Sequence, residues 1–162
     1  MLNETLKNHK IILASASPRR QQFFKDLGLE VDVRLKPIVE DFKQRLSHFE
    51  ISDYLAQLKA IPFKNTLQPN DILITSDTIV WHQNKALGKP KNEKDAFEMI
   101  KSMSNATHEV ITSVCFTTIN IKKTVNAVTK VTFKTLLDKE IQHYIDTYKP
   151  FDKAGAYGIQ EW

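Results

Sequence analysis

Strand-like and helix-like segments alternate along this sequence, and the alternation limits the folds open to it. The segment KIILAS (10–15), with its apolar run IIL, is typical of a buried strand and precedes a helical pattern, SPRRQQFFKDLG (17–28). The same order returns when strand-like EVDVRL precedes helical EISDYLAQLKAIPF, and when strand-like DILITSDT and the hairpin IVWHQNKALG precede helical NEKDAFEMIKSMSN, capped by Asn92. Two long β-branched runs, HEVITSVCFTTIN and AVTKVTFKTL, are joined by IKKTVN and precede a last helix from Asp138. This order predicts an α/β fold with a mixed twisted sheet and flanking helices.

Length and composition exclude several classes of protein. The 162 residues predict a single domain, residues 1–162, and the net charge of +4 favours an anionic ligand. No run of about 18 apolar residues occurs, and the first ten residues lack the apolar segment of a signal peptide, so we expect no membrane association. The single cysteine, Cys115, excludes an intrachain disulfide and fits a reducing, cytoplasmic compartment.

The helix after the first strand begins with two arginines, at the end where positive charge is unfavourable. Ser17 suits the N-cap and Pro18 the first helical position, so an ordinary helix start explains those two residues. It does not explain Arg19 and Arg20, because the helix macrodipole is already positive at this end. A bound phosphate would resolve the conflict, since backbone amides and guanidinium groups would converge on it. On this stretch alone, both interpretations stay open.

Four further charged residues lie where chemistry is common, although each has a structural explanation. Asp77 follows the buried run ILIT, where a strand tip could present a metal ligand, a general base or a turn-forming aspartate. Glu40 lies in an acidic loop, Lys59 ends a helix, and Lys89 lies in the loop LGKP. With the two arginines, this set suits a polyphosphate held by cations and a divalent metal held by Glu40 and Asp77.

Several other catalytic motifs are absent from the sequence. HEVIT (108–112) lacks the second histidine of HExxH because position 112 is Thr, and no Walker P-loop, GxGxxG or GxSxG occurs. A nucleotide- or nucleic-acid-binding protein without turnover is the alternative to an enzyme, and the basic charge favours it. Scattered lysines and the lack of an RNP or helix-turn-helix pattern argue against a stable nucleic-acid complex.

Five motifs follow one another between about residue 10 and residue 160: LASASPRR, LAQLKA, TSDTIV, GKP and DKAGAYGIQ. In this order and at these separations they resemble the Maf family of nucleoside triphosphate pyrophosphatases, also described as septum-formation inhibitor-like proteins. The resemblance implies an α/β fold like that of inosine triphosphatases, with two lobes around a central cleft. It also implies a homodimer, and hydrolysis of a nucleoside triphosphate to monophosphate and pyrophosphate with a divalent cation, Mg²⁺ or Mn²⁺.

The resemblance also implies roles for individual residues. Asp77 matches the family's proposed proton acceptor, and the implied catalytic set is Asp77, Glu40, Lys59 and Lys89, with Glu40 and Asp77 also as metal ligands. The implied substrate-binding residues are Ser15, Ser17, Arg19, Arg20, Thr78 and Gln160. Arg19, Thr78 and Gln160 mark the branch that acts on dTTP and UTP, so we expect a preference for thymine and uracil. Which carboxylate is base and which is metal ligand stays open.

The end of the sequence departs from the family pattern. Maf chains continue past GIQ for about one more strand and helix, whereas this sequence stops at Trp162. We therefore expect a C-terminal strand and helix to be missing from the fold. Because chain ends fray unless packing or pairing holds them, we also expect residues from about 150 onward to be the most mobile.

Overall fold

The computed structural model describes residues 2–41 and 45–161, and these fall into two compact units. The first unit comprises Met1–Gln44, Glu50–Asp77 and Ser113–Asn126. The second comprises Arg45–Phe49, Thr78–Thr112 and Ala127–Trp162. The two units agree with the two lobes that the family resemblance implies. That both lobes belong to a single domain, residues 1–162, stays a prediction. Among the helices that the structure describes, none has the length and hydropathy of a membrane span.

Helices and strands follow the alternating order that the sequence predicts. The helices are α1 (Leu2–Thr5), α2 (Pro18–Asp26), α3 (Phe49–Ala60), α4 (Glu93–Met103) and α5 (Asp138–Tyr148). The strands are β1 (Lys10–Leu13), β2 (Asp32–Val33), β3 (Asp71–His82), β4 (Lys85–Leu87), β5 (Thr107–Thr117) and β6 (Lys122–Thr132). Their order in the sheet is β2-β1-β3-β5-β6, with β4 paired to β3. Since β1 is parallel to β2 and β3 while β4 is antiparallel to β3, the sheet is mixed, as expected.

Strand β1 lies at the core of the first unit and is buried on both faces. One cluster contains Ile12, Ala60, Phe63, Leu67 and Leu73, and the other contains Ile11, Leu13 and Ile74. Because successive side chains of a strand point to opposite faces, Ile12 packs on one side and its two neighbours on the other. This two-sided burial explains why three successive residues of β1, 11–13, are all apolar.

Helices α4 and α5 form the core of the second unit. Their buried side chains pack together with Ala156 in one cluster: Ala96, Ile100, Ile141, Tyr144 and Ile145. The predicted N-cap of α4 is confirmed, since the Asn92 side chain accepts a hydrogen bond of 2.9 Å from the Asp95 amide.

Strand β3 differs from its prediction, and the difference changes the setting of Asp77. The sequence predicts a strand that ends near Thr78, but β3 continues to His82. The prediction that Asp77 lies at the tip of a strand is therefore wrong. On one edge β3 changes partner, since residues 71–74 pair with β1 and residues 80–82 pair with β4, while β5 is its neighbour on the other edge. Asp77 lies just beyond the end of β1 rather than at the end of its own strand.

The turns around the later strands also differ in part from expectation. The hairpin at Gln83–Asn84 is confirmed by positive φ values of 49° and 58°, typical of a two-residue hairpin turn. The connection between β5 and β6 is shorter than predicted. β6 already begins at Lys122, and the Thr118 amide donates to the Ile121 carbonyl to close the turn.

Candidate active site

Ser15 organises the link between β1 and α2. Its side chain is buried, and its Oγ accepts a hydrogen bond of 3.2 Å from the Ser17 amide. Ser17 occupies the N-cap position of α2, as expected, but its side chain makes no capping hydrogen bond. The Ser15 hydroxyl, rather than that of Ser17, therefore accepts the hydrogen bond from a backbone amide at the start of α2.

The two arginines at the start of α2 have different surroundings. Arg20 is half-buried, and its Nη1 donates to the Ser76 carbonyl at 3.0 Å and to Ser15 Oγ at 3.5 Å. Burial lowers the pKa of the Arg20 guanidinium, although the charges of Asp77 and Glu40 oppose that effect. Arg19 is exposed and has no polar partner within residues 2–41 and 45–161. Arg20 therefore fastens α2 to β3, and Arg19 is the arginine that is available to a ligand.

Lys59 joins the two predicted carboxylates. Its Nζ lies 2.6 Å from Asp77 Oδ1 and 3.2 Å from Glu40 Oε2. The Asp77 side chain is only 10% exposed, whereas that of Glu40 is 50% exposed. The first unit thus brings Ser15, Arg20, Glu40, Lys59 and Asp77 together through direct contacts and the Ser76 carbonyl.

The packing of α3 on β3 explains why Lys59 reaches Asp77. Thr75 and Asp77 share one face of β3 because a strand's side chains alternate. The Thr75 hydroxyl donates a hydrogen bond of 2.6 Å to the Ala56 carbonyl and so holds α3 against that face. Helical side chains point back toward the helix N-terminus, so Lys59 extends over the turn that contains Ala56. Lys59 is therefore directed along the face that presents Asp77.

The electrostatics of Asp77 combine burial with nearby charges of both signs. Burial raises the pKa of the Asp77 carboxyl above its usual range, the ammonium of Lys59 opposes the increase, and Glu40 adds to it. A buried carboxylate with a raised pKa is a stronger proton acceptor than an exposed one.

The carboxylates also determine what kind of metal could bind. No cluster of three or more His, Cys, Asp or Glu side chains suited to a metal exists in the described part of the chain. Glu40 and Asp77 supply two hard oxygen donors, and Lys59 lies beside both of them. Mg²⁺ is commonly held by one or two carboxylates together with phosphates, so this pair could hold Mg²⁺ only with the phosphate oxygens of a bound substrate.

The remaining predicted residues belong to the second unit. Thr78 Oγ1 is 3.0 Å from Thr112 Oγ1. Lys89 and Gln160 are exposed, and neither has a polar partner among the residues described. A backbone hydrogen bond of 3.0 Å from the Gly155 amide to the Gly88 carbonyl joins the loop LGKP to DKAGAYGIQ. Two motifs of the sequence therefore meet within this unit.

A polar network near the C-terminus was missed by sequence reasoning. The Tyr144 hydroxyl donates to Glu161 Oε2 at 2.6 Å, and Lys153 Nζ is 3.0 Å from Glu161 Oε1. The available signal was Tyr144 itself, since a tyrosine on the apolar face of a helix needs a partner for its hydroxyl. These contacts connect Lys153 and Glu161 with α5. The mobility expected from about residue 150 onward stays a prediction, and Trp162 lies outside the described residues.

Comparison with known proteins reveals close relatives along the whole sequence. The chain is 65% identical over 162 residues to a protein of Flavobacterium johnsoniae named dTTP/UTP pyrophosphatase, covering 100% of this chain and 84% of that protein. Proteins of the same name from Flavobacterium psychrophilum and Phocaeicola vulgatus are 59% and 48% identical. These matches cover 100% and 98% of this chain, and 83% of each relative.

A family model and a solved structure complete the comparison. Among solved structures, the Staphylococcus aureus Ham1 protein matches with a TM-score of 0.47 and 15% identity, over 75% of this chain and 70% of that chain. The model of the family described as Maf-like protein matches residues 10–162. That match spans nearly the whole chain, and with the 65% identity above it shows that the chain belongs to the Maf family.

Proposed function

We propose that this protein is a nucleoside triphosphate pyrophosphatase that hydrolyses dTTP and UTP to the monophosphate and pyrophosphate. The observation that carries the proposal is Lys59 in contact with both the buried Asp77 and the exposed Glu40. The names of relatives with up to 65% identity support the same reaction. The enzyme would be a hydrolase that acts on an acid anhydride.

Asp77 acts as the general base in this proposal. Its carboxylate accepts a proton from a water molecule whose oxygen attacks the α-phosphorus, and the bond from that phosphorus to the bridging oxygen breaks. Pyrophosphate leaves with the electron pair of the broken bond. The raised pKa of Asp77 favours this role, because a base is most effective when its pKa approaches the operating pH.

Cations stabilise the charge that develops on the phosphates. Arg19 and Lys89 are exposed cations without polar partners in the described ranges, and we assign them to the triphosphate with Ser17. Lys59 holds Asp77 in place, and Ser15 and Arg20 fix the backbone before Asp77. A divalent cation, held by Glu40 and Asp77 together with phosphate oxygens, would neutralise charge on the leaving pyrophosphate.

Gln160, Thr78 and Arg19 are proposed to select the base. The Gln160 amide can donate and accept at once, which matches the O4 and N3–H groups of uracil and thymine. Cytosine presents an amino group and an unprotonated N3 at the same edge and would need the amide turned by 180°, so selection between the two bases requires that the amide keep one orientation. Exposure and the lack of another partner leave the Gln160 amide available for this contact.

A nucleotide panel tests the proposed function. The purified protein with Mg²⁺ should release pyrophosphate from dTTP and UTP faster than from CTP, dATP and GTP. Asp77→Asn should retain the fold and reduce turnover by about 100- to 10,000-fold, whereas Asp146→Asn, an exposed aspartate on α5, should not change it. Binding of nucleotides without pyrophosphate release would favour the alternative of a binding protein, and orthophosphate as the product would contradict the proposed reaction.

Two further expectations accompany this proposal. Assembly into a homodimer is an expectation from the family, and sedimentation of the purified protein would test it. A cytoplasmic location likewise stays a prediction.

A further inference from the structure

A four-residue turn carries Gln160, and one tyrosine holds both of its ends. The Glu161 amide donates to the Gly158 carbonyl at 3.0 Å and closes the turn around Ile159 and Gln160. The Tyr144 hydroxyl accepts from the Gly158 amide at 2.9 Å and donates to Glu161 Oε2 at 2.6 Å. A single hydroxyl is therefore bonded to the first and last residues of the turn.

Tyr144 is well suited to hold this turn because its own position is fixed. It lies on α5 within the core of the second unit and is only 4% exposed. Burial is the largest cause that raises the pKa of the Tyr144 hydroxyl, and the bond to Glu161 adds to it. The hydroxyl therefore stays protonated at neutral pH and keeps both hydrogen bonds.

Lys153 completes the arrangement from the other side of Glu161. Its Nζ lies 3.0 Å from Glu161 Oε1 and 3.0 Å from Asp152 Oδ1, and the residue is 9% exposed. Each carboxylate oxygen of Glu161 thus has its own partner, Tyr144 for one and Lys153 for the other. A carboxylate held at both oxygens is restricted in rotation, which fixes the C-terminal end of the turn.

The Gln160 side chain itself has no such restraint. It is exposed and makes no polar contact with the described residues, so the position of its amide depends on the backbone of the turn. We infer that Tyr144, with Glu161 and Lys153, positions Gln160 for selection of the nucleotide base. The inference rests on the proposed function, and Tyr144 is a positioning residue rather than one that contacts substrate.

Loss of the Tyr144 hydroxyl should lower selectivity and leave phosphate binding unaffected. An amide that reads two atoms of a base edge must be held to within about 0.5 Å of its productive place. Freeing the turn loosens that placement, whereas Arg19 on α2 does not depend on it, and the loop that carries Lys89 is joined to Gly155, before the turn. The effect should therefore fall on KM for the preferred base rather than on kcat for every nucleotide.

The test compares the ratio of kcat/KM for UTP to that for CTP in the wild-type protein and in Tyr144→Phe. We expect the ratio to fall about tenfold in the variant, as a lost hydrogen bond network would cause. KM for UTP should rise, and inhibition by added pyrophosphate should not change. Tyr148→Phe is the matched control, because its ring lies 5.0 Å from that of Tyr144 and no hydrogen bond of its hydroxyl is found among the described residues.

The outcomes separate a failure of the proposed function from a failure of the positioning role of Tyr144. No pyrophosphate release by the wild-type protein, or release without base preference, would refute the proposed function before any variant is compared. A selective wild type with an unchanged ratio in Tyr144→Phe would overturn the positioning role, as would an equal loss of kcat for all nucleotides. If Tyr144→Phe fails to fold, Glu161→Gln decides: it should lower the ratio, and an unchanged ratio would overturn the inference.

Discussion

The Nζ of Lys59 lies 2.6 Å from Oδ1 of Asp77, and both side chains are largely buried, at 18% and 10% exposed. Burial raises the pKa of Asp77, and Lys59 opposes that increase because its ammonium favours the ionised form of the carboxyl. In the proposed reaction the carboxylate is the base, so Lys59 controls how much of the base is active at a given pH.

Replacing Lys59 should therefore change the pH profile as well as the rate. In Lys59→Met the pKa of Asp77 should rise further, so the acid limb of kcat/KM should move to higher pH. At neutral pH we expect kcat/KM to fall about ten- to a hundredfold. Lys64→Met, at an exposed lysine close to the same helix end, should match the wild type. A parallel loss of rate at every pH would show that Lys59 does not act through Asp77.

The adjacent arginines should give different phenotypes. Arg20→Met removes the contact with the Ser76 carbonyl, so the free energy of unfolding should fall by about 1–3 kcal/mol and turnover should fall with it. Arg19→Met should leave stability within about 0.5 kcal/mol of the wild type, because Arg19 is exposed, and should raise KM for the nucleotide. Urea unfolding and steady-state kinetics of both variants check this, and a reversal of the two phenotypes would contradict it.

Buried His108 should make stability depend on pH. The residue is 2% exposed, its Nε2 lies 2.7 Å from the Tyr157 hydroxyl, and its Nδ1 has no partner among the described residues. Burial, with a contribution from His82, lowers the pKa of His108 to about 4. The unfolded chain, with an ordinary pKa of about 6.5, therefore binds more protons, so stability is full above that pH and falls as pH decreases.

The size of the His108 effect can be measured by urea unfolding. The protonation of His108 alone should decrease the free energy of unfolding by about 2 kcal/mol from pH 7 to pH 5. His108→Phe should remove most of that slope, because it fills a similar volume without a titrating group. His143→Gln, at an exposed histidine, should keep the slope. An unchanged slope in His108→Phe would assign the pH dependence to other groups.

Gly155 should tolerate no side chain. Its φ is +68°, and an added Cβ would lie 2.8 Å from Cγ2 of the buried Val80. Gly155→Ala should lower the free energy of unfolding by about 2 kcal/mol or more, from backbone strain and steric conflict together. Gly88→Ala meets nothing within 4 Å and should leave the urea midpoint unchanged or slightly raised. Equal midpoints for the two variants would contradict this reading.

Local patterns predicted most of the elements, while long-range partners could not be predicted. The Asn92 cap and the apolar stripe of α4 lie within one helix, so the sequence alone located it. The strand end predicted near Thr78 was wrong, because nothing local shows that β3 changes partner there. The contact of Arg20 with the Ser76 carbonyl spans 56 residues, which no local pattern encodes, while phosphate binding by Arg20 stays a prediction. The family resemblance, rather than the residue patterns, named Gln160.

The position at which water enters the product tests the central claim most directly. The claim is that water attacks the α-phosphorus of the nucleoside triphosphate. Hydrolysis of UTP by the wild-type protein in ¹⁸O-enriched water, followed by ³¹P NMR, should place the label in the monophosphate and none in pyrophosphate. Label in pyrophosphate, or release of labelled orthophosphate, would contradict the account.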